Sequence, residues 1–197
     1  MTWKTHMVGG MAAAASVTVL YSELSKTPVP PDTWIPFVTI SGISALLPDV
    51  DEIRSKAGKL LLPVSLIFFI MQCLVKVVTF FTFGKLRRKI EENTRFMMHR
   101  GVCHYLTTLL FFVCGGIIGA IIFAEDLLKC LVIIGAFAIG YLSHIGILDI
   151  ISGKIALLAP FSKKRFGICL VKSGSLLETL VVRPGLLFVT IILCLRL

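Results

Sequence analysis

The chain has 197 residues, of which 56% are hydrophobic and 16% are charged, and its mean hydropathy is +0.93. These values exclude a soluble domain with a single core and indicate an integral membrane protein. The net charge of +9 is typical of a membrane protein whose basic loops contact anionic headgroups. Nucleic acid is not an expected partner, because no basic patch is interleaved with aromatic residues in a soluble domain.

Six apolar segments follow one another along the chain. The first is rich in alanine and glycine, which suits close helix packing, and the second stops at Pro48. We therefore predict an all-α fold, a polytopic transmembrane helix bundle in which residues 1–197 form one domain. The segments are residues 7–21, 34–47, 60–83, 105–124, 127–151 and 184–195.

The third segment, residues 60–83, is predicted to form a re-entrant or interfacial hairpin. Cations flank it on both sides, so a single crossing would leave one basic cluster outside, against the positive-inside tendency. The alternative is a plain transmembrane helix in which Lys76 extends to the headgroups. The flanking cations are Arg54, Lys56 and Lys59 on one side and Lys85, Arg87, Arg88 and Lys89 on the other.

The basic loops also orient the bundle. With the N-terminus in the cytoplasm, segment one leads out, segment two returns, and the hairpin stays on the inner face. Segments four, five and six then cross in turn, so that both basic loops, residues 84–100 and 163–172, are cytoplasmic. Charge alone sets this orientation, and it brings the polar motifs to the same side. Their convergence is independent support for one shared site.

The motif HRGVCH carries His99 and His104, which are five residues apart. This spacing is not that of one helical face. It fits a pair on either side of a turn and a helix start, where Gly101 relieves the backbone. Arg100 between them is suited to bidentate contact with a phosphate or a carboxylate. The alternative is a pair of surface histidines in a basic loop.

The motif LLPDVDE places Asp49 and Asp51 directly after Pro48, which ends a helix. Carboxylates so close together repel each other unless a cation lies between or beside them. Both are therefore candidate metal ligands. For Asp51 the alternative is a helix N-cap, and Glu52 either extends the acidic set or is solvated.

The motif GYLSHIGILD places His144 inside an apolar helix, where an unpaired histidine is costly. Asp149 is a second candidate ligand, or orients the ring of another ligand. Because five residues separate the two, a helix distortion near Gly146 is required for both to converge. The alternative is a satisfied core histidine with Asp149 at the helix end.

Four further residues complete the candidate set. His6, in KTHMVGG, is a candidate ligand in combination with the other histidines. Glu178, in SGSLLETL, is either structural or a substrate contact, and the nearby Lys172 and Ser175 are suited to meet a headgroup.

Taken together, the set H…DxD…HRGxxH…H…D resembles the YdjM-like family of inner-membrane-associated metal-dependent hydrolases, which is also described as LexA-binding. The resemblance runs from His6 to the SGSLLE segment and implies the inner membrane of a bacterium or archaeon. Three positions depart from the family pattern. Glu52 stands where histidine is usual, Cys103 stands where threonine is usual, and Asp149 lies five rather than four residues after His144. The order of ligands is also similar to that of zinc-dependent phospholipases C.

These patterns and the resemblance predict a membrane-bound metal-dependent hydrolase that acts on a lipid or lipid-linked phosphoester at the cytoplasmic face. The expected cofactor is a divalent metal, zinc or manganese. The candidate catalytic residues are Asp51, Asp149 and Arg100, and the candidate substrate contacts are Arg100, Lys172, Ser175 and Glu178. The expected metal ligands are His6, Asp49, Asp51, His99, His104, His144 and Asp149.

The alternative function is not enzymatic. The same residues would then hold a metal in a membrane adaptor, whose basic loops recruit a partner, or in a transporter-like protein. A transporter requires polar groups through the whole membrane depth, whereas segments four and six are almost purely apolar.

Overall fold

The computed structural model describes residues 1–94, 100–162 and 164–197. Most of these residues are helical, and outside the helices Ile155 and Phe166 form an antiparallel bridge. The predicted all-α fold is confirmed. The helices are α1 (Trp3–Ser25), α2 (Pro31–Ser44), α3 (Lys56–Leu60), α4 (Leu62–Phe80), α5 (Gly84–Thr94), α6 (Leu106–Phe123), α7 (Leu127–Ser143), α8 (Asp149–Ser152) and α9 (Arg183–Cys194), with 3-10 turns at Leu47–Asp51 and Val102–His104 and π-helical turns at His144–Leu148 and Glu178–Val182.

Five stretches within the described part of the chain are long and apolar enough to cross a membrane. They are α1, α2 with the 3-10 turn that follows it, α4, α6, and α7 continued through its π-helical turn and α8. Only Leu109 and Ala120 of α6 are buried, as expected where the neighbour is lipid rather than protein. The predicted polytopic helix bundle is therefore confirmed.

The helix directions bring several helix ends together. The turn after α7 contacts the end of α2, because His144 Nδ1 lies 2.6 Å from the carbonyl oxygen of Ala45. The start of α9 contacts the start of α1, because Arg183 Nη2 donates to Thr2 Oγ1 over 2.9 Å. The 3-10 turn before α6 packs against the turn after α2. We call this end of the bundle, where α1, α6 and α9 begin and α2 and α7 end, the site end.

Small residues allow α2 to lie very close to α1 and α7. Gly10 of α1 and Gly140 of α7 both face the backbone of Ser41. The Ser41 hydroxyl donates to the carbonyl oxygen of Ala136 in α7 over 2.7 Å, which satisfies a polar group away from water. Close packing of this kind holds the end of α2 at a fixed height beside α7, where the candidate site residues begin.

Residues 60–83, expected as a hairpin, instead form one helix, α4, from Leu62 to Phe80. Pro63 lies in its first turn, where a missing backbone N–H leaves no helical hydrogen bond unmade. The apolar run therefore continues without folding back. Lys76 is exposed, and the main contacts of α4 are with α3, α5 and the 3-10 turn Leu47–Asp51.

Replacing Gly140 with alanine is expected to destabilise the bundle. A Cβ atom there would lie 2.0 Å from the backbone oxygen of Ser41 and 2.2 Å from Ser44 Oγ. Helix α7 must then move away from α2, at a cost of about 1–3 kcal/mol. We expect a lower midpoint of thermal unfolding in detergent, followed by circular dichroism. Gly119→Ala is the matched control, because a Cβ there meets nothing within 4 Å; equal shifts in both variants would contradict this packing.

Candidate metal centre

His144 and Asp149 face each other because the chain forms a π-helical turn between them. The backbone N–H of Asp149 donates to the carbonyl oxygen of His144, five residues back, where an α-helix would bond four residues back. As a result His144 Nε2 lies 3.4 Å from Asp149 Oδ2. The distortion predicted near Gly146 is confirmed, and it explains how a spacing of five brings the two side chains together.

Asp49 and Asp51 are presented by the 3-10 turn that follows α2, with Pro48 in its first positions. The N-cap of α3 is Ser55, whose hydroxyl accepts from the N–H of Gly58. Asp51 is therefore not a helix cap. Both carboxylates instead point toward His104.

His104 is fully buried among three carboxylates. Its Nε2 lies 3.6 Å from Asp49 Oδ1 and 3.2 Å from Asp149 Oδ2, and its Nδ1 lies 3.6 Å from Asp51 Oδ2. Burial lowers the pKa of His104, but the contacts with Asp49 and Asp51 outweigh burial and raise it to about 9. A metal ion bound by this imidazole must displace that proton, so metal binding here releases protons.

His144 presents one nitrogen to the carboxylates and uses the other to hold its ring in place. Its Nδ1 lies 2.6 Å from the carbonyl oxygen of Ala45. Since a carbonyl only accepts, this contact assigns the ring proton to Nδ1 and leaves the Nε2 lone pair available. A backbone carbonyl that orients a metal-binding imidazole in this way is a common arrangement.

The spacing of these atoms fits a metal ion. The Nε2 atoms of His104 and His144 each lie 3.2–3.6 Å from Asp49 Oδ1 and Asp149 Oδ2. Ligand atoms around a tetrahedral zinc ion, with bonds of about 2.0–2.2 Å, are roughly 3.3–3.6 Å apart. Among the described residues, two groups could hold a metal: His6 with Asp49 and His144, and His104 with His144 and Asp149.

His6 enters the cluster from α1. Its ring stacks on that of His144, with centroids 3.8 Å apart and planes 13° apart, and its Nδ1 is buried without a hydrogen bond. His144 Nε2 and Asp149 Oδ2 are likewise buried without a hydrogen bond. Buried polar atoms left in this state are costly, and a cation among them would remove that cost. The residues present therefore fit a divalent metal.

Glu178 secures the start of α1 and does not face the cluster. Its Oε1 accepts from the Thr2 N–H and from the hydroxyls of Thr2 and Thr5, and its Oε2 accepts from the Gly174 N–H. Burial raises the pKa of Glu178, but these hydrogen bonds outweigh it and lower the pKa to about 2. Both oxygens are thus engaged, and the bond from Thr5 positions His6 one residue further along α1. The substrate contact predicted for Glu178 stays a prediction.

Arg100 lies beside the cluster, where its Nη2 is 3.2 Å from both Asp149 Oδ1 and Ser152 Oγ. The guanidinium passes over Gly153, where a Cβ atom would lie 1.6 Å from Arg100 Nη1. Arg100 therefore fixes one oxygen of Asp149 while the other oxygen faces His104 and His144. Its partner in the HRGVCH motif, His99, lies outside the described residues.

A cleft of about 500 Å³ opens onto the cluster. Both candidate metal ligands and cations line this cleft, together with Ser173. Lys172 is exposed and Ser175 is half-buried, and neither lines the cleft, so their contacts with a headgroup stay predictions. The cluster residues on the cleft are His6, Asp49 and Asp149, and the cations are Arg54, Lys56, Lys59 and Arg100.

Sequence reasoning missed three features of this site. The Ala45 carbonyl is a backbone group, so no side-chain pattern signals it. Lys56 and Lys59 were interpreted only as charges that orient the membrane topology, although their position just after LLPDVDE could have indicated that they lie beside Asp49. A buried bond from the Tyr141 hydroxyl to the Cys103 carbonyl also went unpredicted.

The chain matches the YdjM inner membrane protein family over residues 1–196. It belongs to this family. The match covers the motifs that carry the cluster and places the protein among inner membrane proteins, in agreement with its membrane-capable helices. Comparison with curated proteins and with solved structures found no match.

The purified protein is expected to bind a divalent metal in stoichiometric amount, and His144→Ala is expected to lose it. The variant removes the imidazole shared by both ligand groups. Metal content is measured by elemental mass spectrometry after resupply with zinc. Asp126→Asn is the control, because Asp126 lies at the other end of α7 and an asparagine keeps its cap on the Lys129 N–H. Unchanged metal in the His144 variant would exclude this site.

Gly153→Ala is expected to weaken metal binding without removing any ligand. The added methyl group displaces the Arg100 guanidinium from Asp149. Loss of a group that orients a ligand reduces metal affinity by roughly 10–100-fold. Competition with a fluorescent zinc chelator measures the affinity. Gly146→Ala is the control, since its Cβ would meet only Leu142 side-chain atoms at 3.5 Å or more; a normal affinity for Gly153→Ala would contradict the role of Arg100.

Proposed function

We propose that this protein is a membrane-bound metal-dependent hydrolase that acts on a lipid or lipid-linked phosphoester at the cytoplasmic face of the inner membrane. One observation carries the proposal: a single cleft is lined both by three residues of the cluster, His6, Asp49 and Asp149, and by four cations. A metal site alone would serve a structural role, and a basic groove alone would serve an adaptor. Their meeting in one cleft suits the hydrolysis of an anionic substrate.

The metal would be held by the imidazoles of His6, His104 and His144 and the carboxylates of Asp49 and Asp149. Mixed nitrogen and oxygen ligands suit zinc or manganese. When bound, such an ion supplies Lewis acidity and lowers the pKa of water to near neutrality.

The carboxylates divide into two roles by their position relative to the cleft. Asp51 is buried, does not line the cleft and contacts His104 Nδ1, so it orients that imidazole rather than reaching a substrate. Asp49 and Asp149 both line the cleft. Asp149 is the residue that we assign as ligand or general base, because one of its oxygens is held by Arg100 and the other faces the histidines.

The cations on the cleft favour a phosphate group over a neutral substrate. Arg54, Lys56 and Lys59 carry no carboxylate partner within 4 Å among the described residues, and Lys56 Nζ lies 5.2 Å from the centre of the Trp3 ring. Positive groups along a cleft concentrate anionic ligands and hold phosphate oxygens.

Arg100 and the basic segment that ends at Lys172 also lie at the site end, since the Val171 N–H donates to the carbonyl oxygen of Ile151. This supports the assignment of the site end to the cytoplasmic side, where a lipid headgroup reaches the cleft directly.

The test is hydrolysis by protein reconstituted in detergent–lipid micelles. Phosphatidic acid and phosphatidylglycerol are supplied with zinc or manganese, and released phosphate and headgroup are measured. Asp149→Asn is expected to lower kcat by about 100-fold or more, while Asp126→Asn retains activity. The double variant Lys56→Ala/Lys59→Ala is expected to raise KM about tenfold with kcat unchanged, because it removes binding that is uniform along the reaction.

Metal-loaded protein that hydrolyses none of these lipids would contradict the proposal. If activity survives Asp149→Asn but is lost in Lys56→Ala/Lys59→Ala, then the cations and not the metal cluster support hydrolysis, and the proposed role of Asp149 is wrong. A partner that binds the basic loops of an inactive but metal-loaded protein would favour the adaptor.

A further inference from the structure

Helix α4 exposes a long apolar surface that nothing in the described part of the chain covers. The helix has 19 residues and a mean hydropathy of 2.0, yet few of its residues are buried against the rest of the protein. Its buried residues, Ser65, Val75 and Thr79, lie on one narrow strip. Large apolar side chains occupy the remaining faces: Ile67, Phe69, Ile70, Leu74, Val77 and Val78. A surface of this kind requires a lipid or protein partner.

Chain connectivity excludes a crossing of the membrane by α4. The helix begins at the site end, where the Ser65 hydroxyl donates to the carbonyl oxygen of Gly58 over 2.7 Å and α3 packs on the 3-10 turn Leu47–Asp51. The chain is again at the site end at Arg100, beside Asp149. If α4 crossed, the chain would have to cross back between residues 81 and 99.

That return crossing has no segment to make it. Helix α5 occupies most of the interval, and its charged residues are too costly to place in hydrocarbon. The five residues 95–99 reach at most about 18 Å when fully extended, whereas the hydrocarbon core is about 30 Å thick. The charged residues of the described part of α5 include Lys85, Arg87, Arg88, Lys89 and Glu91.

A contact at the middle of α4 fixes its depth independently. The Gln72 side-chain amide donates to the carbonyl oxygen of Asp51 over 3.1 Å. Asp51 is the last residue of the membrane-capable stretch Pro31–Asp51, and the cost of a carboxylate in hydrocarbon places it at the membrane surface. In a crossing helix, Gln72 would lie near the bilayer centre, about 14 Å deeper. The start and the middle of α4 are therefore both at the level of the membrane surface.

We propose that α4 lies along the membrane surface at the site end, with its apolar faces in the acyl region, and that α5 binds anionic lipid headgroups. The exposed Lys85, Arg88 and Lys89 of α5 directly follow the apolar helix, which is the pairing of apolar and basic surfaces that binds an anionic leaflet. Through Gln72 and Asp51 this helix touches the turn that carries Asp49. The proposal does not depend on metal binding or on hydrolysis.

The test measures depth along α4 with tryptophan in vesicles that contain lipids brominated at defined chain positions. Ile70→Trp and Phe81→Trp replace exposed side chains that are eleven residues apart, with the signal of unsubstituted protein subtracted. Both are expected at the same shallow depth. If α4 crossed the membrane, Ile70→Trp would lie near the bilayer centre, about 13 Å deeper than Phe81→Trp, and that result would overturn the proposal.

Helix α6 supplies the matched control. Phe112→Trp and Phe123→Trp, also exposed and eleven residues apart, are expected at clearly different depths because α6 spans. If neither α4 position is quenched by any brominated lipid, and a crosslinker joins two copies through Ile70→Cys, then a second copy covers the helix and the proposal is wrong.

The headgroup part has its own test. At equal mole fraction, brominated phosphatidylglycerol is expected to quench Phe81→Trp at least twofold more than brominated phosphatidylcholine, because α5 enriches the anionic lipid around it. The charge reversal Arg88→Glu/Lys89→Glu is expected to abolish this difference and to leave the depth of Ile70→Trp unchanged. Equal quenching by the two lipids in the unreversed protein would refute lipid binding by α5.

Discussion

The structure depends on a constraint that burial imposes: ionisable side chains enclosed away from water must satisfy one another. His144 lies in an otherwise apolar helix, and water is not available to solvate it. The ring nitrogen Nδ1 donates to the Ala45 carbonyl oxygen, which has no partner within helix α2. The other ring nitrogen, Nε2, faces Asp49 and Asp149. The single contact with Ala45 joins α2 to α7, sets the tautomer of the ring and directs the remaining nitrogen at the carboxylates.

The small residues along α1, α2 and α7 serve this same constraint. Backbone atoms approach closely where Gly10 and Gly140 meet Ser41, so the end of α2 reaches the turn after α7. Without that approach the Ala45 carbonyl would not reach His144. At the other edge of the site, the Glu178 carboxylate accepts hydrogen bonds from the N–H groups of Thr2 and Gly174. These bonds hold the start of α1 against the cluster.

Much of this arrangement was predictable from residue spacing. The five-residue interval between His144 and Asp149 requires a distorted helix, and the π-helical turn provides it. The convergence of His6, Asp49 and His104 followed from charge-based topology. Other features depend on tertiary contacts that spacing does not encode. The Ala45 carbonyl is a backbone group and has no side-chain signature. Only the fold shows that the Thr2 N–H donates to Glu178 Oε1, 176 positions away. The segment 60–83 was expected to fold back because of its flanking charges, yet Pro63 sits where a helix tolerates it.

The π-helical turn has a consequence for the residue spacing that the site accepts. One residue added to an α-helix rotates everything beyond it by about 100°, which would swing an aspartate away from its histidine. A π-helical turn absorbs the extra residue locally. The helix before it keeps its packing on α2, and the carboxylate after it keeps its direction. In a helix without this turn, a carboxylate four positions after the histidine would be the one to point in this direction. The site therefore tolerates a spacing of five as well as four, because the turn and not the residue count sets the direction of the carboxylate.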